Sequence, residues 1–176
     1  AAELLVESDP AAIETIDEKI LELAKEDEIY PQVRDFLTDE GDRPTRAINL
    51  VEFIGSSPEE LAQKISELCE RLESNRSEPG QATGYYRTTT PSEMGDLWNL
   101  RKKGVGLLGN TKGARKPIPF VEDTCVPPKN LAAYIREFRA LLESYGLDYA
   151  MFGHVDVGCL HVRPALDLKE PEQERW

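Results

Sequence analysis

The sequence predicts an α+β fold: an antiparallel sheet with helices packed on one face. Three observations point there. Short runs rich in β-branched and aromatic residues alternate with stretches whose apolar positions recur every 3.6 residues, so strands and helices are both present. The strand-like runs carry polar residues, as in Arg87, Thr88, Thr89 and Glu122, Asp123, Thr124, which leaves one sheet face to solvent and argues against a doubly covered parallel sheet. At 176 residues and 40% hydrophobic content the chain fills one core, so residues 1–176 are expected to form a single domain.

In chain order, AAELLVES reads as a short strand. After Asp9-Pro10, the positions Ile13, Ile16, Ile20, Leu21 and Leu23 have helical spacing and predict a helix reaching about Lys25. Residues 31–37 add a turn or two. RAINLVEFIG is a strand ended by the Gly-Ser-Ser-Pro breaker. Ser57 then caps a long helix with Pro58 at its first position, acids in its first turn, and Leu61, Ile65, Leu68 and Leu72 as its buried stripe. QATGYYRTTT reads as a strand. Pro91, Ser92 and Glu93 open a helix through Trp98 and Arg101, which Gly104, Gly106 and Gly109 end or loosen. Residues 118–121 form a short strand between prolines. LAAYIREFRALLESYG is an amphipathic helix stopped by Gly146, and DYAMFGHVDVGCLHVRP supplies one or two strands punctuated by Gly153 and Gly158.

Charge and composition narrow the function. Residues 1–60 hold 17 acidic and 5 basic side chains, whereas residues 93–116 hold six basic and two acidic ones. A net charge of −12 repels phosphate backbones and argues against nucleic-acid binding. The basic island is either a solvated face or a receptor for a small anion. No stretch is long and apolar enough to span a bilayer, and the N-terminus lacks signal-peptide features. Cys69, Cys125 and Cys159 form no C-x-x-C pair and suit a reducing cytosol, so a cytoplasmic location is expected. Neither a G-x-G-x-x-G nor a G-x-x-x-x-G-K-[ST] motif occurs. The first residue, Ala1, and the charged KEPEQERW end suggest a piece of a longer protein.

Only two histidines occur, His154 and His161, seven apart in GHVDVGCLHVRP. Along an uninterrupted strand that odd offset sends the rings to opposite faces. A turn or bulge at Gly158, which tolerates positive φ, would let them converge. They are then either ordinary strand histidines or two ligands of one divalent ion, a third coming from a carboxylate such as Glu122 or Asp156. Cys159 reads as a small buried apolar residue, since no basic neighbour in sequence lowers its pKa.

The run from RKPIPFVEDTC to CLHVRPALD, with LWNLR before it, resembles the C-terminal substrate domain of the FAD-linked oxidases, a ferredoxin-like cap. It is most similar to the D-2-hydroxy-acid dehydrogenases of the D-lactate and D-2-hydroxyglutarate type. The resemblance implies oxidation of a small anionic D-2-hydroxy acid by hydride transfer to FAD. It also implies a flavin domain upstream of Ala1, an iron-sulfur region in some relatives, and contact with the inner membrane through an electron acceptor; a homo-oligomer is among the assemblies it allows. It implies that His154 and His161 bind a divalent metal, usually zinc, and that Arg101 and Lys116 grip the substrate's carboxylate. No catalytic residue falls within the chain: a base and a third metal ligand are expected beyond Trp176. Three departures from the family pattern are Val105 in place of a threonine, DVGCLH in place of G-D-G-N-L-H, and Arg163 in place of an asparagine. Two other readings remain: a non-catalytic interaction module, and a metal-dependent hydrolase using the same imidazoles.

Overall fold

A computed structural model describes residues 1–37, 44–119 and 121–175. Its helices are α1 (Ala2–Val6), α2 (Glu18–Lys25), α3 (Tyr30–Val33), α4 (Pro58–Asn75), α5 (Pro91–Gly109) and α6 (Leu131–Ser144). Its strands are β1 (Ala12–Asp17), β2 (Ala47–Glu52), β3 (Lys116–Pro117), β4 (Val121–Cys125), β5 (Tyr149–His154) and β6 (Cys159–Leu166). The strands form a sheet ordered β2-β1-β5-β6-β3, with β4 also on β6, and each pairing is antiparallel. The α+β class and the antiparallel sheet are therefore as the sequence predicts.

The helices, however, cover both faces of the sheet rather than one. Ile13, Met151, Leu160 and Val162 pack with residues of α1, α4 and α6, while Ile16, Ala150 and Phe152 pack with α2, α3 and α5. Residues 81–90, whose Arg87, Thr88 and Thr89 suggest a solvated strand face, form no strand. They run irregularly into α5, with Tyr85 and Tyr86 exposed and the Thr88 hydroxyl bonded to the Glu93 carboxylate. A threonine run favours a strand only where it has a neighbour to pair with.

Three more expectations are corrected. Residues 1–8 hold helix α1, because Ala, Glu and Leu are strong helix formers and Leu4 and Leu5 find a core to bury against. The helix expected after Asp9-Pro10 starts only at Glu18, where Asp17 caps it by accepting from the Ile20 N–H at 3.2 Å; residues 12–17 are β1. Ile13 and Ile16 face opposite cores, and a strand covered on both sides loses the alternation that would have revealed it. The strand expected at 118–121 is not found there: residues 118 and 119 lie in no strand, Val121 opens β4, and Phe120 lies outside the described residues. Helix α5 continues through Gly104, which lets Ile20 of α2 approach: a Cβ there would lie 3.1 Å from the Ile20 Cγ2.

The remaining elements agree with the sequence. Ser57 caps α4, accepting from the Glu60 N–H at 3.2 Å. Gly146, at φ +62°, follows α6. Gly158, at φ +68°, closes the β5–β6 hairpin, and it sits so tightly under β4 that a Cβ would fall 1.8 Å from the Val126 carbonyl oxygen.

Candidate functional site

The hairpin resolves the seven-residue offset between the histidines. His154 pairs with Cys159 and Phe152 with His161, so both imidazoles emerge on one sheet face as diagonal neighbours. Their rings meet edge to face with centroids 5.4 Å apart, and the two Nε2 atoms are 3.4 Å apart. The next strand adds Glu14, directly opposite His154.

Glu14 is the hub of this face. Its Oε1 lies 2.7 Å from His154 Nδ1, and its Oε2 accepts from Arg101 Nε at 2.8 Å. Arg101 reaches down from α5, its guanidinium carbon 4.9 Å from the centre of the Phe152 ring. Arg163, two residues beyond His161, approaches the same ring at 5.2 Å and donates through Nε to Glu122 at 2.6 Å. All four side chains of the two ion pairs are largely shielded from solvent, with exposures of 11% and 13% for Glu14 and Arg101 and 28% and 13% for Glu122 and Arg163.

The proton inventory of the two rings bears on metal binding. The carboxylate of Glu14 can only accept, so His154 carries a hydrogen on Nδ1, which in the neutral ring leaves the lone pair at Nε2. His161 is harder to satisfy. If its Nε2–H donates to His154, its Nδ1 becomes a bare acceptor facing the carboxylates of Asp123, at 3.2 Å, and Glu122, at 3.9 Å. His161 Nδ1 is in fact a buried atom without a hydrogen-bond partner. A cation between the two Nε2 atoms would remove the conflict, because His161 would then hold its hydrogen on Nδ1, toward Asp123.

The donor separation fits as well. Two nitrogens at 2.0–2.1 Å from a tetrahedral zinc ion stand roughly 3.3–3.4 Å apart. Burial also holds the His161 pKa below the ordinary imidazole value, against the opposing pull of Glu122, and so keeps a lone pair available. The residues present thus suit a divalent ion as two of its ligands. Among the described residues, no group of three or more His, Cys, Asp or Glu side chains gathers for that purpose.

The other candidates lie elsewhere. The Lys116 ammonium donates to the Thr111 carbonyl past the end of α5 and makes no hydrogen bond or ion pair with Arg101 or the imidazoles among the described residues. Glu122 sits on the Nδ1 side of His161, behind the facing Nε2 atoms, and Asp156 lies in the hairpin turn. Cys159 is buried, and its thiol is pushed up to about 11 by a hydrogen bond with Cys125 and by burial, in keeping with a protonated, unreactive side chain.

Three of the six basic residues of the island are neutralised by acids of the N-terminal segment. Lys103 pairs with Asp27 and Glu28, Lys112 with Glu26, and Arg101 with Glu14. The residue that sequence reasoning missed is Glu14. Its signal was a lone acid between isoleucines, which becomes informative only once residues 12–17 are known to be a strand buried on both faces.

Residues 1–176 match the family described as FAD linked oxidases, C-terminal domain. The chain is 49% identical over 174 residues to the D-2-hydroxyglutarate dehydrogenase of Pantoea ananatis (strain AJ13355), a match covering 98% of this chain and 17% of that protein. Its identity to the D-2-hydroxyglutarate dehydrogenase of Escherichia coli (strain K12) is 48% over 174 residues, with the same coverage of 98% and 17%. A more distant likeness, 34% over 83 residues, links 47% of this chain to 17% of the D-lactate dehydrogenase of Archaeoglobus fulgidus. The chain therefore spans 17% of the length of these relatives.

Proposed function

Because the chain belongs to the FAD-linked oxidases as their C-terminal domain, we propose that it forms the substrate side of a flavin-dependent dehydrogenase that oxidises a D-2-hydroxy acid, D-2-hydroxyglutarate foremost. The names of the relatives that match nearly the whole chain support that substrate. The observation that carries the reading is the convergence of three groups on one sheet face: the His154 and His161 Nε2 atoms 3.4 Å apart, and Arg101 tied to His154 through Glu14.

Each residue then has a task. His154 and His161 contribute two imidazole ligands to a divalent metal, best suited by zinc, whose other ligands come from outside the described residues. When bound, the metal supplies Lewis acidity that makes the 2-hydroxyl of the substrate easier to deprotonate. The flavin supplies the hydride acceptor.

Arg101 takes a carboxylate with the guanidinium nitrogens that Glu14 leaves free, and so fixes which way the substrate's C2–H bond points. Arg163, beside the same Phe152 ring, places a second guanidinium within the site, which suits a substrate with two carboxylates. The Lys116 ammonium, which donates to the Thr111 carbonyl, would join through its remaining N–H groups. The low exposure of both arginines means that the anion is bound away from bulk water, where charge-assisted hydrogen bonds are strongest.

The direct test uses the full-length protein under anaerobic conditions, with flavin absorbance as the signal. D-2-hydroxyglutarate should bleach the oxidised flavin faster than D-lactate does, and Arg101→Ala should slow that bleaching at least ten-fold. Absence of bleaching by either acid would reject the reading. A hydrolase using the same imidazoles finds no specific observation in its favour.

A further inference from the structure

We propose that Glu14 is a positioning residue that prepares both halves of this site at once, setting the tautomer of His154 for metal and the direction of Arg101 for substrate; the inference rests on the metal-holding reading of the histidine pair. One carboxylate spans the two groups, with Oε1 at 2.7 Å from His154 Nδ1 and Oε2 at 2.8 Å from Arg101 Nε. Its place is set by the backbone. Glu14 lies directly opposite His154 in the β1–β5 ladder, with Ile13 before it and Ile16 two residues after it, each buried in one of the two cores. Only 9% of Glu14 is exposed, so the carboxylate has little water to turn to, and its two strong donors hold it.

The chemistry of a carboxylate between two N–H donors makes the role specific. Both oxygens accept, so His154 must keep its hydrogen on Nδ1 and leave Nε2 as a lone pair directed at His161. An amide cannot do this. In Glu14→Gln one end is an oxygen and the other an NH2 group. If the oxygen faces Arg101, the NH2 donates to His154 Nδ1, which forces the hydrogen to Nε2 and blocks the position where metal would bind. If the amide is turned the other way, its NH2 confronts the Arg101 Nε–H. The isosteric change therefore damages either metal binding or the arginine. The guanidinium is the stronger donor and should take the oxygen, so metal binding is the function lost.

The experiment is equilibrium dialysis of the metal-stripped full-length protein against buffered Zn2+, comparing wild type with Glu14→Gln, Arg101→Gln and His161→Ala. Wild type should bind one Zn2+ that His161→Ala does not. Glu14→Gln should bind that ion ten- to a hundred-fold more weakly, the range usual for a carboxylate that orients a ligating histidine. Arg101→Gln, which leaves the Glu14 carboxylate to His154, should keep wild-type Zn2+ affinity while its KM for D-2-hydroxyglutarate rises.

Each result decides something. Equal Zn2+ affinity in wild type and Glu14→Gln, with His161→Ala defective, overturns the role of Glu14 and leaves the proposed function standing. Equal binding in wild type and His161→Ala overturns the metal reading and Glu14's role with it. Loss of Zn2+ in Arg101→Gln as well would show that the network acts through the fold rather than through the imidazole. That arm keeps the inference open to refutation even if Glu14→Gln fails to fold.

Discussion

His154 and His161 bring their Nε2 atoms to 3.4 Å although seven residues separate them, because the turn at Gly158 folds β6 back along β5. Two donors held that close by a hairpin act as a unit. In the full-length protein, His154→Ala and His161→Ala should each lower turnover of D-2-hydroxyglutarate more than ~100-fold, and the double variant should be little worse than either single one. Additive losses, measured as kcat/KM, would mean that the imidazoles work separately.

Arg101 holds its position through Nε, which leaves the outer guanidinium nitrogens for a carboxylate. Arg101→Ala should raise KM and depress kcat together, for a combined loss in kcat/KM of ~10²–10³-fold, because a loosely held substrate is also a misaligned one. Arg101→Lys should recover only part of that, since an ammonium keeps the charge and loses the planar fork. Steady-state kinetics on the three proteins checks both statements.

The turn itself can be tested through stability. Gly158 has φ +68°, and any Cβ would strike the Val126 carbonyl oxygen at 1.8 Å, so the backbones of β4 and the hairpin would have to separate. Gly158→Ala should cost about 3 kcal/mol or more of stability and weaken the histidine pair along with it. Gly106→Ala is the control. Among the described residues, no atom outside its own helix lies within 4 Å of a Cβ there, so denaturant unfolding should show it neutral or slightly stabilised.

Asp17 links β1, α2 and β5. One oxygen accepts from the Ile20 N–H at 3.2 Å and the other from the Met151 N–H at 2.6 Å. Burial nevertheless pushes its carboxyl up to about 6, against the effect of those hydrogen bonds. A raised carboxyl binds its proton more tightly in the folded chain than in the unfolded one, so this group's contribution is present below pH ~4 and is lost as pH rises through about 6. Unfolding at pH 4.5 and 6.5 should therefore show a decline attributable to Asp17 on the order of 2 kcal/mol, absent from Asp17→Asn. The same variant should be less stable overall, since its amide cannot accept from both backbone donors.

The parts legible in the sequence are those where local chemistry and tertiary context agree. Ser57-Pro58, Gly146 and Gly158 each mark a boundary by backbone preference alone, and the structure places boundaries there. The histidine pair was legible as a question, because the spacing required a break in register and Gly158 was the residue able to supply it. Residues 12–17 hide their strand because burial on both faces removes the two-residue period, and residues 81–90 mimic one because a strand needs a partner that no local pattern reveals. Glu14 and Lys116 show the limit from opposite sides. Glu14 reaches the site through pairing with a strand 140 residues away, whereas Lys116, fifteen residues after Arg101, donates instead to Thr111.

On the proposed function, the His154 and His161 Nε2 atoms hold one divalent ion beside Arg101. Anomalous diffraction at the zinc absorption edge from crystals of the full-length protein, grown with Zn2+ and D-2-hydroxyglutarate, tests it most directly. An anomalous peak bonded to both Nε2 atoms, with a substrate carboxylate on the Arg101 guanidinium, is the expected result. Two imidazoles hydrogen-bonded to each other with no peak between them, and the acid bound elsewhere, would contradict it.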